Sequence, residues 1–70
     1  MQIVVNGTEE VFNEQLTIET LIERLGFDAR KIAVERNKEI VPKGDFSSVK
    51  LCEGDTVEIV HFIGGGAREA

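Results

Sequence analysis

The chain has 70 residues, a single cysteine, a single histidine and a formal net charge of −5. One thiol rules out an internal disulfide, one His and one Cys lack the ligand spacing of a zinc centre, and the acidic balance argues against nucleic acid, whose phosphates need clustered Lys and Arg. A chain of this size forms one domain, with a stability on the order of 3–5 kcal/mol drawn from its Val, Ile, Leu and Phe side chains, and offers little room for a deep catalytic pocket.

Met1-Gln2-Ile3-Val4-Val5 reads as a strand, without the basic n-region or cleavage site of a leader. No apolar run approaches the roughly 20 residues of a membrane helix. A cytoplasmic protein is expected, with no membrane partner and with Cys52 as a thiol. Asn6-Gly7 suits a type I′ turn, because both residues accept positive φ, and it predicts a hairpin into a second strand over 8–12.

Thr17 is an acceptable helix N-cap, Glu19 complements the dipole in the first turn, and Leu16 with Leu21 fits a hydrophobic staple. Ile18, Leu21, Ile22 and Leu25 form one apolar stripe at helical spacing, and Gly26 stands where a left-handed C-cap is wanted. A third strand is predicted over 32–36, a tight turn at Asn37-Lys38, and a short strand over 39–41 stopped by Pro42. Residues 42–48 read as loop with Phe46 tucked beneath it, 49–51 as a short pairing segment, and 56–62 as the last strand after the Gly54-Asp55 turn. The class is α+β: one main helix on one face of a mixed sheet of four to five strands, the first and last strands pairing in parallel. The domain is expected to span 1–63, followed by a flexible glycine-rich tail over 64–70.

No ordinary active site emerges. His61 alternates with apolar neighbours and reads as a semi-buried or edge residue, Cys52 as a structural or incidental thiol, and Glu9, Glu10, Glu19 and Glu23 as a solvated face. Gly64-Gly65-Gly66 is different, because a chain without Cβ atoms can enter a narrow site on another protein. Taken alone, such a tail is also compatible with a linker or a frayed end. If Val57 and Ile59 face the core, alternation turns Glu58, Val60 and Phe62 outward. With Ile63 and Gly64 they make a candidate docking surface beside the tail.

Several longer stretches narrow the reading. They are Val5-Asn6-Gly7, Leu21-Ile22-Glu23-Arg24-Leu25, Val34-Glu35-Arg36-Asn37 with Glu39-Ile40-Val41-Pro42-Lys43, and Glu53-Gly54-Asp55-Thr56-Val57-Glu58-Ile59-Val60-His61-Phe62 running into the glycines. Through them the chain resembles the ubiquitin-like β-grasp proteins over residues 1–66. More narrowly, it resembles the ThiS family of thiamine-biosynthesis sulfur carriers. The resemblance implies a protein co-substrate and not an enzyme. An adenylating enzyme would use ATP to activate the carboxylate of Gly66, with Gly65 beside it. The resulting thiocarboxylate would pass its sulfur to thiazole synthase. The carrier itself would bind no cofactor and act as a monomer. Unlike carriers that stop at the diglycine, this chain continues with Ala67-Arg68-Glu69-Ala70, so a processing protease is also implied. The molybdopterin synthase small subunit, another ubiquitin-like carrier or modifier, and a passive interaction module are the alternatives. The 37–42 stretch favours the thiamine carrier over the first of these.

Overall fold

In the computed structural model, described here over residues 1–62, Asn6 and Gly7 both take positive φ, 50° and 82°. They reverse the chain between β1 (Gln2–Val5) and β2 (Thr8–Val11). Phe12, expected to close the second strand, lies just past it. Its N–H still reaches the Met1 carbonyl at 2.8 Å while its ring is buried.

Helix α1 (Ile18–Arg24) begins at a Thr17 cap. Thr17 Oγ1 accepts from the Thr20 N–H at 3.1 Å, and Thr20 Oγ1 accepts from the Thr17 N–H at 2.8 Å, a capping box with threonine in the place usual for Glu or Gln. The two N–H groups before Thr20 are also satisfied, Ile18 by the Val49 carbonyl at 3.0 Å and Glu19 by the Phe46 carbonyl at 2.9 Å. The 42–51 segment is thereby fastened to the start of the helix. It contains a bridge from Lys50 to Thr17 and buries Phe46 and Leu51. Gly26, at φ 84°, ends the helix. Its N–H meets the Glu23 carbonyl and the Phe27 N–H meets the Ile22 carbonyl, which is the Schellman arrangement.

A 3-10 turn, Ala29–Lys31, follows, capped by Asp28. It leads into β3 (Ile32–Arg36), the positive-φ turn at Asn37 and Lys38, and β4 (Glu39–Ile40). A second 3-10 turn, Lys43–Asp45, lies within the region read as loop. Strand β5 (Thr56–His61) completes a five-stranded sheet in the order β2-β1-β5-β3-β4. Strands β1 and β5 pair in parallel, as expected, and the other pairs are antiparallel. Ile3 and Val5 of β1, Val34 of β3, and Val57 and Ile59 of β5 join Ile18, Leu21 and Ile22 of the helix in one core.

Candidate functional site

The alternation of β5 decides what the sheet shows on its outer face. Val57 and Ile59 are buried, whereas Val60 and Phe62 remain 58% and 57% exposed and Glu58 is exposed. Register then sets their neighbours. Val60 lies opposite Ala33 and Glu58 opposite Glu35, which in turn faces the exposed Ile40 on β4. The face is therefore an apolar strip crossed by a directly opposed pair of glutamates. Like charges in that position are unfavourable in the isolated sheet.

The strip ends where β5 ends. The Phe62 N–H donates to the Lys31 carbonyl at 2.9 Å, and the Lys43 ammonium lies 5.1 Å from the centre of the Phe62 ring. On the helix side of the same strand end, the exposed His61 packs against Phe27, with ring centroids 5.1 Å apart. The expected sites at Ile63, Gly64, Gly65 and Gly66, and the tail over 64–70, lie outside the described residues.

Cys52 stands in the loop before Gly54-Asp55, with its Sγ 3.8 Å from the Arg36 guanidinium. The centre of that loop is Asp55, which in the sequence alone reads only as a turn residue. Its carboxylate accepts from Arg36 Nε at 2.8 Å, Asn37 Nδ2 at 3.1 Å and the Cys52 N–H at 2.8 Å. Burial alone would raise the Asp55 carboxyl, but the hydrogen bonds from Cys52, Asn37 and Arg36 outweigh it and hold the group below its ordinary value. Asn37 also accepts from the Thr56 N–H at 2.9 Å, which locks the β3–β4 turn to the start of β5. This cluster is a structural brace. Among the described residues, no group of three or more His, Cys, Asp or Glu could hold a metal ion. No helix among them is long and apolar enough to cross a membrane.

A model of the ThiS family matches residues 1–66. A sulfur carrier protein ThiS of Bacillus subtilis (strain 168) is 46% identical over 50 residues, or 71% of this chain and 76% of that protein. A thiazole synthase of Paramagnetospirillum magneticum is 51% identical over 70 residues, which is all of this chain but 22% of that protein. One from Magnetococcus marinus is 47% identical over 66 residues, covering 94% of this chain and 20% of its own length. The chain thus spans only 22% and 20% of these two curated relatives. The crystal structure of thiamine biosynthesis protein ThiS from Geobacter metallireducens superposes with a TM-score of 0.82 at 32% identity, covering 94% of this chain and 100% of that one. With the mixed sheet and single main helix, this match makes the fold the ubiquitin-like β-grasp expected from the sequence.

Proposed function

The chain belongs to the ThiS family, and from that premise we propose that it is a sulfur carrier for formation of the thiamine thiazole, acted on by other enzymes and not itself a catalyst. The observation that carries this reading is that the family match extends through Gly66, past the exposed Val60 and Phe62 at the end of β5. The family match and the likeness to Bacillus subtilis ThiS favour this carrier over the molybdopterin synthase subunit.

The chemistry follows from what a glycine carboxylate can do. In the chain as written, Gly66 is in peptide linkage to Ala67. A protease must first add water across that bond, leaving a carboxylate on Gly66. The match to the Paramagnetospirillum magneticum thiazole synthase takes in all 70 residues, so the tetrapeptide after the glycines has a counterpart inside a longer chain. A Gly66 carboxylate oxygen then attacks the α-phosphorus of ATP on the adenylating partner, and pyrophosphate leaves. A sulfide-level nucleophile next attacks the acyl carbon. The C–S bond forms, the C–O bond to AMP breaks, and Gly66 carries a thiocarboxylate. Thiazole synthase is the acceptor of that sulfur. The two relatives named thiazole synthase, each holding a segment like this chain, support that partnership.

In both encounters the outer face would dock the carrier, through Glu58, Val60, Phe62, Ile63 and Gly64. The direct opposition of Glu58 and Glu35 favours a partner that brings a cation to that spot. To test the reading, the chain ending at Gly66 is incubated with a ThiS-adenylating enzyme, ATP and sulfide, and its mass is measured. Replacement of one oxygen by sulfur is expected, and an unchanged mass would refute the carrier function.

A further inference from the structure

Strand β4 stops early, and what replaces it bears on the tail. Its register places Glu39 opposite Arg36 and Ile40 opposite Glu35, and the Val41 N–H continues the ladder to the Val34 carbonyl at 2.9 Å. Two residues on, the backbone of Lys43 would fall opposite Ile32. Pro42 instead turns the chain into the 3-10 turn Lys43–Asp45. The Lys43 side chain takes over the vacated position, its ammonium donating to the Ile32 carbonyl at 2.6 Å. From there the same ammonium lies 5.1 Å from the centre of the Phe62 ring, within cation–π range. Phe62 is also held by its N–H to the Lys31 carbonyl at 2.9 Å. One lysine thus ties together the open edge of β3, the Lys43–Asp45 turn and Phe62, four residues before Gly66.

Resting on the carrier reading above, we propose that Lys43 is a positioning residue for the reaction at Gly66: its ammonium, anchored on the Ile32 carbonyl, fixes the Phe62 ring and so the point on the domain from which the tail departs. Gly66 is four residues beyond Phe62, which limits its reach from that point to about 13–14 Å. Over so short a span, the departure point decides whether the outer face and the acyl group engage a partner together. A departure point already fixed in the free carrier lowers the ordering cost of that engagement. Lys43 acts through the Ile32 carbonyl and the Phe62 ring, so its effect should fall on KM for the carrier and leave kcat nearly unchanged.

The test measures ATP–pyrophosphate exchange by the adenylating enzyme against carrier concentration, for the chain ending at Gly66 and for Lys43→Met, Lys43→Gln and Lys43→Arg. Exchange of the Phe62 amide with solvent is followed in parallel. Lys43→Met is expected to raise KM about three- to tenfold, with kcat within about twofold, and to speed exchange at Phe62. Lys43→Arg, which keeps the cation, restores KM. Lys43→Gln keeps an N–H donor but carries no charge, and stays impaired. Equal KM for wild type and Lys43→Met, rescue by Gln as good as by Arg, or a loss confined to kcat would each overturn the role of Lys43 while leaving the carrier function standing. If Lys43→Met fails to fold, the contrast of Arg with Gln decides the matter. No exchange with the wild-type carrier would instead overturn the carrier function, and this inference with it.

Discussion

The side-chain oxygen of Asn6 accepts a hydrogen bond from the Ile59 N–H at 2.7 Å, while the Asn6 N–H donates to the Val57 carbonyl at 2.9 Å. Strands β1 and β5 pair at only two positions, Val4 with Thr56 and Val5 with Val57. Asn6 therefore prolongs the parallel ladder with its side chain after the backbone has entered the hairpin turn. Asn6→Ala should lower stability by about 1–3 kcal/mol, because the Ile59 N–H loses its acceptor and alanine resists the positive φ. Asn6→Asp, which keeps an acceptor and tolerates that φ, should lose less. Urea unfolding and amide exchange at Ile59 measure both. Equal stability of Asn6→Ala and wild type would show that the side-chain bond contributes nothing.

Asp55 gives the domain an acid limit. Its carboxyl sits below the ordinary range because the hydrogen bonds from Cys52, Asn37 and Arg36 outweigh the effect of burial. A depressed folded pKa stabilises the domain fully above the unfolded value of about 3.9, and the contribution disappears as pH falls through the folded value. Stability should be flat near neutrality and decline in acid from roughly pH 5 downward. Asp55→Asn should lower neutral stability by about 2–3 kcal/mol and flatten the acid decline. Some slope should remain, since the Asp28 carboxyl is also lowered, to about 2, chiefly by hydrogen bonding to the Arg30 side chain. An unchanged acid profile in Asp55→Asn would contradict the brace.

The outer face separates stability from binding. Val60 and Phe62 are both more than half exposed, so Phe62→Ala and Val60→Ala should shift stability by no more than about 0.5 kcal/mol. Each should nevertheless weaken binding to the adenylating enzyme or thiazole synthase about tenfold. Glu58→Lys relieves the opposition to Glu35 and should stabilise the free domain by about 0.2–1 kcal/mol. It should also slow association, most visibly at low salt. Calorimetry and binding kinetics on the same variants check this. Unfolding of Phe62→Ala would make that residue core, and unaltered association of Glu58→Lys would remove the face from the interface.

Much of the fold is carried by local patterns. Asn6-Gly7 makes the hairpin, Thr17 and Gly26 bound the helix, Phe46 is buried under its loop, and alternation along β5 turns Val60 and Phe62 outward. What escaped the sequence reading depends on partners far apart along the chain. Asp55 meets Arg36 and Asn37 from 19 and 18 residues away, and no local periodicity marks a polar group for burial. The 3-10 turn Ala29–Lys31 is too short to set up a repeat and rests on Asp28 accepting from the Arg30 N–H at 2.9 Å. Lys43 was legible only as part of the 39–43 stretch, and its substitution for a strand hydrogen bond needs the register of β4 to be known. The glycines stand out for the opposite reason, since three in a row can be seen in the sequence without any long-range partner being known.

The most direct test of the carrier function is the intact mass of this protein recovered untagged from its own cells under thiamine starvation. The predicted result is a species whose C-terminus is Gly66 and in which one carboxyl oxygen is replaced by sulfur. Recovery, while thiamine is being made, only of chains in which Gly66 remains joined to Ala67, with no sulfur-bearing form, would contradict it.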